Sequence, residues 1–550
     1  MLNLGCLVFQ AAWQEPALLS LDEHTRYSRV DAELNIVIKR KDYNGIRTSK
    51  MDLLSWLSCL LFFLVLVQAF HSITRITRKG RADKLPPGPA TIPVFGNLFQ
   101  LGEKPHTSLA TLAKTHGDIM TLKLDLTTTI VFSSATMAKE ILQKHDAAFS
   151  KRTVPDAFRA LQHDEFGMPW MPVSTTWRNL RKISNLHIFA SQKLDANQYL
   201  RRSKVEELVA DVHDSCRVGK AIDIGQAAFK TTLNFLSNTF FPIDLADSSD
   251  TAQEFRDIVQ GIKEELGKLN FGDYFPIILR NLDLQGMRRR MTVHFGKLMN
   301  LFDRVIDKRL QLRKTNDYIS TNDFLDTLLN ISEDKNEELD RNLIKHLLLD
   351  LFTAGTETTS STFEWVMAEL LHTPKVLQEA QRELKQIIGA GNSVEESGIA
   401  CLPYLQAIVK ETLRLHPPVP LLLPQKTEVD YEIHNFILPK GAQLLVNTWA
   451  VSRDPNFWEE PDLFLPERFI GSEMDVRGRD FGLIPFGGGR RICPGLPLAL
   501  KMLHLMLGRL LHSFDWELED GVTPESLNME DKYGLVLHKA QPLKAIAISL

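Results

Sequence analysis

Apolar residues recur at helical spacing along most of the chain from about residue 90 onward. This periodicity predicts helices near 107–115, 135–146, 200–216, 252–268 and 289–313. A strand-like stretch covers 119–132, and short strand candidates near 430–448 are interrupted by the turn signal Pro439-Lys440-Gly441. The body shows no internal repeat and no long linker. The pattern therefore predicts one mainly α body with small β-sheets.

The longest predicted helix runs from about Asp340 to His372 and stops before Pro374. At 1.5 Å per residue it spans about 50 Å, enough to cross a whole domain. Residues 354–359 in its middle read Ala-Gly-Thr-Glu-Thr-Thr, although glycine and threonine are poor helix formers. We therefore expect a bulky group to pack closely here, and a threonine hydroxyl to disturb a backbone hydrogen bond.

A glycine-rich string precedes the helical run Leu496 to Leu510. Residues 486–495 read Phe-Gly-Gly-Gly-Arg-Arg-Ile-Cys-Pro-Gly. The glycines let the backbone approach a planar or anionic group, and a helix N-terminus favours a thiolate at Cys493. With Arg491 available to neutralise a carboxylate, the string fits an axial thiolate ligand to haem. The alternatives are a phosphate-binding loop, although GxxxxGK[ST] is missing, and an inert buried cysteine.

The front of the chain contains an uncharged segment from Leu53 to Phe70, close to the length of about 20 residues that spans a bilayer. We predict a retained transmembrane anchor at 51–74, rather than a core helix or a cleaved signal peptide. A basic flank and a stiff Leu-Pro-Pro-Gly-Pro hinge follow at 75–90. The positive-inside rule then puts the rest of the chain in the cytosol.

Residues 1–50 lack clear periodicity and are basic as well, which contradicts the orientation signal of the flank. A chain that starts at Met51 has no such contradiction, so we expect 1–50 to be a disordered or spurious extension. A genuine disordered leader and a transit peptide are the alternatives. The acidic residues Glu15, Asp22 and Glu23 weaken the transit-peptide version.

Composition excludes several classes of protein. The 550 residues are 44% hydrophobic and 24% charged, as in globular proteins and unlike disordered, collagen-like or polytopic membrane chains. A net charge of −4 argues against a nucleic-acid partner. The five cysteines show no spacing typical of a disulfide framework or a zinc site.

Five strings together resemble the cytochrome P450 family over about residues 51–550. The haem-binding signature FxxGxRxCxG is matched at Phe486, Gly489, Arg491, Cys493 and Gly495. The family's oxygen-activating motif resembles Ala354-Gly355-x-Glu357-Thr358, and its ExxR motif matches Glu411 to Arg414. Its PERF element matches 466–469, and its WxxxR motif matches Trp177 to Arg181. All five strings occur in family order.

The resemblance implies a P450 fold with a single N-terminal transmembrane helix and a haem domain at 91–550. It implies haem b with the Cys493 thiolate as the axial metal ligand. Arg491, Trp177 and Arg181 would hold the haem propionates, and Glu411, Arg414 and Arg468 would form a buried structural network. Gln425 departs from the plant pattern, because an arginine usually holds a propionate at that position.

The resemblance also implies monooxygenation with O₂, in which Thr358 hydrogen bonds the reacting oxygen and Glu357 feeds protons. Electrons would come from NADPH–cytochrome P450 reductase, so NADPH and FMN/FAD would act only through that partner. Arg490 and Lys501 are candidates for steering this acidic reductase. The implied location is the endoplasmic reticulum membrane, with the haem domain in the cytosol.

Within the family, the chain is similar to plant microsomal enzymes of the geraniol 8-hydroxylase group. This implies a small lipophilic substrate, most simply a terpenoid alcohol such as geraniol. Candidate substrate contacts by family position are Phe158, Phe166, Met168, Trp170, Asp350, Phe352, Ala354, Val419 to Leu423, and Tyr533 to Leu535. The alternatives are a diterpene or phenylpropanoid-type oxidase, a haem-thiolate isomerase without a reductase, and a non-catalytic haem sensor.

Overall fold

The computed structural model describes residues 84–550, except 93–94, 125–126, 243–249, 267, 269, 274–282, 316–322, 335–338 and 390, and four positions between 58 and 66. The chain divides into two compact units, Met1–Lys84 and Leu85–Leu550. The predicted extension at 1–50 and almost all of the predicted anchor at 51–74 lie outside the described residues. None of the helices described is both long and apolar enough to cross a membrane.

The second unit is mainly helical, as predicted. Its α-helices are Leu98–Leu101, Pro105–His116, Ala135–Lys139, His163–Phe166, Thr175–Ser184, Ser191–Ala196, Gln198–Arg217, Ile224–Phe240, Asp250–Leu266, Met287–Leu312, Phe324–Glu333, Arg341–His372, Pro374–Ile387, Pro403–Leu415, Thr448–Val451 and Leu496–Ser513. The helix expected at 135–146 changes to a π-helical turn at Glu140–Lys144, and a second π turn covers Asn185–Phe189. Short 3₁₀ turns cover Asp156–Gln162, Phe271–Asp273, Glu396–Cys401, Pro466–Phe469 and Gly489–Arg491.

The β-structure is confined to small sheets. A five-stranded sheet has the order Ile119–Leu124, Thr127–Phe132, Gln443–Val446, Gln425–Lys426 and Lys151–Arg152. The stretch 119–132 is therefore a hairpin and not one strand. The smaller sheets pair Tyr431–Ile433 with Phe436–Leu438, Asp531–Lys532 with His538–Lys539, and Lys544–Ser549 with Ile222–Asp223 and Phe514–Leu518.

The helix Arg341–His372, called the long helix below, is buried over most of its length. It begins where the sequence predicts, because the Asp340 side chain accepts a hydrogen bond of 2.8 Å from the Leu343 N–H. The helix stays continuous through 354–359, so the expected disturbance is not seen. Instead, the Thr356 and Thr358 hydroxyls donate to the carbonyls four residues earlier.

The predicted network of Glu411, Arg414 and Arg468 fixes the helix Pro403–Leu415 to the turn Pro466–Phe469. Glu411 and Arg414 are fully buried and joined at 2.7 Å, and Arg468 Nε lies 3.0 Å from the same carboxylate. Arg414 also donates to three backbone carbonyls. Because every buried charge has a partner, the network is rigid rather than reactive.

Candidate functional site

A cavity of about 370 Å³ lies between the glycine-rich string and the long helix. Its walls are mostly apolar, and they include Phe158, Met168, Trp170, Phe235, Leu236, Phe240, Val259, Ile262, Leu422, Leu423, Leu535 and Val536. Cys493 lines the part of the wall formed by the string, called the cysteine end below, and Glu357 and Thr358 line the part formed by the long helix, called the long-helix end below. The cavity thus brings together the two strings that sequence chemistry singles out, although they lie more than a hundred residues apart.

Most of the predicted substrate contacts line this cavity. They are Phe158, Met168, Trp170, Asp350, Ala354, Val419, Leu422, Leu423, Gly534 and Leu535. The predicted positions that do not line it are Phe166, Phe352, Pro420, Leu421 and Tyr533. For all of these residues, contact with a substrate stays a prediction.

Local packing explains why the rings of Phe352, Phe166 and Tyr533 do not line the cavity. Phe352 lies 200° around the long helix from Asp350, and its ring packs against Phe240 with 5.0 Å between centroids. Phe166 stacks on His346 at 5.2 Å, and Tyr533 stacks on His106 at 5.5 Å. Helical phase alone would not have excluded Phe352, since Thr359 lies only about 20° from it around the helix axis and lines the cavity. All three positions depend on partners that are remote in sequence.

Glycine backbones let the string pass close to neighbouring chain segments. Gly489 has φ of +64°, and a Cβ there would lie 1.8 Å from the Leu142 carbonyl oxygen. Gly489 is therefore needed for close packing but does not itself line the cavity. Phe486 and Gly495 do line it, and the Cys493 N–H donates to the Phe486 carbonyl at 3.0 Å.

Cys493 sits where its sulfur can meet a ligand. Cys493 is solvent-accessible, it lines the cavity, and it lies three residues before Leu496, where the helix Leu496–Ser513 begins. Burial within the fold raises the pKa of the Cys493 thiol, while the N–H groups of Gly495 and Leu496 and the charge of Arg181 act to lower it. The thiolate form thus needs a further positive partner, such as a metal ion.

Three half-buried arginines line the cysteine end of the cavity, namely Arg152, Arg181 and Arg491. Burial is the main cause that lowers the pKa of each guanidinium, and Arg491 is also repelled by Arg181. Among the described residues, no carboxylate forms an ion pair with any of them. A buried cluster of like charges is costly unless an anion joins it.

Instead of carboxylates, these arginines contact backbone carbonyls. Arg152 donates to Leu423 at 2.6 Å, Arg181 to Ile492 at 2.6 Å, and Arg491 to Pro169 at 3.2 Å. The Nε atoms of Arg152 and Arg491 are buried without a partner. These orphaned donors fit the two carboxylates of a haem, so the residues present match the group that the motifs imply.

Arg152 is the cofactor candidate that sequence reasoning missed. It pairs directly with Gln425 across two antiparallel strands, and the Gln425 Oε1 atom is buried without a partner. The neighbouring strand thus supplies the positive charge that Gln425 lacks. Only the register of the five-stranded sheet brings positions 152 and 425 together, so the pair could not be predicted from any local sequence pattern.

Trp177 occupies the same end of the cavity. Its ring lies 5.2 Å from the Arg491 guanidinium carbon, and its indole N–H donates to the Met168 carbonyl at 3.1 Å. The helix Thr175–Ser184 therefore brings Trp177 and Arg181 beside Arg491, as the WxxxR spacing predicts.

At the long-helix end of the cavity, a carboxylate lies near one lysine and one histidine. The Glu357 carboxylate lies 3.2 Å from Lys263 Nζ and 3.3 Å from His538 Nε2, and all three side chains line the cavity. Burial raises the pKa of Glu357, while Lys263 acts to lower it. Lys263 and His538 come from remote elements and were not predicted.

The two predicted steering cations are engaged locally. Arg490 forms an ion pair of 3.0 Å with Asp146, and Lys501 forms one of 3.0 Å with Glu396. Their charges are therefore largely neutralised on the protein itself. A negatively charged partner gains less from these two residues than the sequence suggests.

Comparison with known proteins indicates the same family as the sequence motifs described above. Residues 86–545 match the family described as Cytochrome P450. Geraniol 8-hydroxylase of Swertia mussotii is 52% identical over 496 residues, covering 90% of this chain and 99% of the relative. Geraniol 8-hydroxylase of Catharanthus roseus is 52% identical over 501 residues, covering 91% and 100%. Drimenol monooxygenase of Persicaria hydropiper is 49% identical over 468 residues, covering 85% and 93%.

Proposed function

The chain belongs to the cytochrome P450 family, and from this premise we propose that it hydroxylates a small terpenoid alcohol such as geraniol. Two relatives at 52% identity carry the name geraniol 8-hydroxylase. The mostly apolar cavity suits a lipophilic substrate. The observation that carries the proposal is the single cavity that joins Cys493, three uncompensated arginines and the Glu357–Thr358 pair.

In this proposal, the Cys493 end holds haem b. The Cys493 sulfur would ligate the haem iron, and Arg152, Arg181 and Arg491 would hold the two propionates through charge-assisted hydrogen bonds. When bound, haem supplies the activation of O₂ and the insertion of one oxygen atom into a C–H bond. Trp177 supports this end by packing against Arg491.

The chain's own residues at the other end handle protons and water. Thr358 has a hydroxyl that donates to the Ala354 carbonyl at 2.7 Å and can accept or pass on a second hydrogen bond at the cavity face. Glu357 lies next to it, with a raised pKa that suits a proton donor. The apolar walls around both residues exclude bulk water from the reacting end.

The proposal includes a redox partner and a membrane location. NADPH–cytochrome P450 reductase would deliver the electrons, carrying FMN/FAD and taking them from NADPH. The uncharged segment from Leu53 to Phe70 would anchor the chain in the endoplasmic reticulum membrane, with the haem domain in the cytosol. Both statements rest on sequence pattern and family resemblance.

Reconstitution tests the proposal directly. The full chain is combined with the reductase, NADPH and geraniol, and the products are identified by mass spectrometry. We expect NADPH-dependent formation of a hydroxylated geraniol. NADPH-independent conversion would favour a haem-thiolate isomerase, and turnover of other terpenoids alone would contradict geraniol but not the monooxygenase activity.

A further inference from the structure

A buried cluster of Asp350, His163 and His346 lies beside the cavity and has no part in the chemistry proposed above. His163 Nε2 lies 3.0 Å from Asp350 Oδ1, and His163 Nδ1 lies 2.8 Å from His346 Nδ1. The three residues are only 4%, 1% and 2% exposed, respectively. Asp350 lines the cavity, whereas neither histidine does. The histidines must therefore act through Asp350 or through the chain that they hold.

The segment that Asp350 holds is Met168–Met171, called the strap below. The Met168 N–H donates to Asp350 Oδ2 at 2.8 Å, and the Met168 and Trp170 side chains form part of the cavity wall. On its other side, the strap presents carbonyls to Arg491. The strap backbone is therefore hydrogen bonded to the Asp350 side chain on the long helix and to the Arg491 side chain at the cysteine end of the cavity.

The chain before the strap is bent into an unusual path. Leu161 and Gln162 both have positive φ, 52° and 59°, and neither is a glycine. A Cβ at Gly167 would lie 2.7 Å from His163 Cε1, so the imidazole packs directly on the glycine backbone. Such backbone strain persists only where the surroundings fix it. The hydrogen bonds of His163 provide this fixation.

The hydrogen-bond donors and acceptors of the cluster match in a defined way. The two Asp350 oxygens accept from the Met168 N–H and from His163 Nε2–H. His163 Nδ1 then faces His346 Nδ1, and one proton is shared between these two ring nitrogens. Burial lowers the pKa of His346 to about 3, which keeps that ring neutral.

We propose that Asp350, His163 and His346 are positioning residues that hold the strap against the cavity and thereby set the affinity for the substrate. Asp350 acts by fixing the Met168 backbone, and not as a direct substrate contact. The identity of the substrate in this inference rests on the proposed function, whereas the position of the strap is independent of it.

Hydrogen–deuterium exchange of the holoenzyme tests the inference without any substrate. In Asp350→Ala, we expect the amides of 163–171 to exchange on the order of tenfold faster, since a hydrogen bond to a charged group is lost. Asp350→Asn should retain slow exchange. Its amide oxygen can accept from Met168, and its NH₂ can donate to His163 Nε2 once both histidines adopt the opposite tautomer.

His163→Phe separates positioning from direct contact, because His163 lies outside the cavity. We expect the same faster exchange as in Asp350→Ala, and a KM for geraniol raised on the order of tenfold with kcat little changed. His213→Phe is the matched control, since the His213 ring packs edge-on against Phe514 and not against the strap. The control should leave both readouts unchanged, and haem content verifies the fold of each variant.

Two results would overturn the inference. One is unchanged exchange of 163–171 in Asp350→Ala. The other is a raised KM in Asp350→Ala together with a normal KM in His163→Phe, which makes Asp350 a direct contact. If His163→Phe does not take up haem, the amide exchange of 163–171 in Asp350→Ala and Asp350→Asn still tests the inference. If the wild type does not bind geraniol, the proposed substrate fails while the exchange result stands.

Discussion

The two ends of the cavity contain charged side chains of opposite sign, and the partners of these side chains differ between the ends. At the cysteine end, Arg152, Arg181 and Arg491 have backbone carbonyls as partners and no carboxylate among the described residues. At the long-helix end, Glu357 has Lys263 and His538 within 3.3 Å. The three arginines thus lack a charged partner among the described residues, whereas Glu357 has one in Lys263, although the Glu357 Oε2 atom still has no hydrogen-bond partner among those residues.

In the proposed function, this difference assigns the binding of an anionic group to the cysteine end and the transfer of protons to the long-helix end. A buried cation cluster without counter-ions is stable only when a ligand brings the negative charge. A buried carboxylate with adjustable partners can instead gain or lose a proton without a large rearrangement. The proposed function therefore assigns cofactor binding and proton transfer to different parts of one cavity wall.

The largest effect is expected at the cysteine end, from Cys493→Ser. An alcohol is a far poorer ligand than a thiolate, so the long-wavelength absorption band of the reduced carbon monoxide complex should disappear, together with hydroxylation. Cys401→Ser, at an exposed cysteine, is the control and should retain both. A retained band in Cys493→Ser would place the axial ligand elsewhere.

Arg152→Leu tests the cysteine end without touching the axial ligand. We expect haem dissociation to accelerate roughly 10- to 100-fold, because a charge-assisted hydrogen bond to a propionate is worth about 1.5–3 kcal/mol. The rate is measured by transfer of haem to an excess of apomyoglobin. Arg217→Leu, at an exposed arginine, should not change it. Equal rates for the two variants would remove Arg152 from the haem site.

Thr358→Ala tests the long-helix end. Without the hydroxyl, proton delivery should fail, so product per NADPH should fall on the order of tenfold and peroxide release should rise. The matched control is Thr362→Ala, one turn further along the same helix, where the hydroxyl donates to the Thr358 carbonyl and does not line the cavity. Fully coupled turnover in Thr358→Ala would refute the assignment.

Glu357→Gln gives the smallest and most specific effect, which depends on pH. Since burial raises the folded-state pKa of Glu357, ionisation weakens the fold. The wild type should therefore lose stability relative to Glu357→Gln as the pH rises from about 4, where both states hold the proton, to about 7. The expected difference is about 1.4 kcal/mol for each unit by which the pKa is raised. Urea unfolding of both proteins at the two pH values measures it, and no change in their difference would contradict a raised pKa.

The sequence predicts the elements better than the contacts between them. Asp340 marks the start of the long helix because an N-cap acts over three residues, and Cys493 is found because its string is contiguous. Arg152 is missed because a sheet register, and no local pattern, places it beside Gln425. Lys263 likewise reaches Glu357 only through the packing of two helices.

Helical phase alone could not have sorted the candidates on the long helix. Asp350, Ala354 and Glu357 follow one face at spacings of four and three, and all of them line the cavity. Thr359 also lines it, although it lies only about 20° around the helix axis from Phe352, which packs among other phenylalanines. The packing of neighbouring helices therefore decides which positions reach the cavity.

One isotope measurement tests the central claim most directly. The reconstituted enzyme is supplied with geraniol, NADPH, the reductase and dioxygen labelled with a heavy oxygen isotope, and the product is analysed by mass spectrometry. The account predicts one labelled oxygen atom in each molecule of hydroxylated product, with none from water. A product without the label, or one formed without NADPH, would contradict a monooxygenase built on these two ends of the cavity.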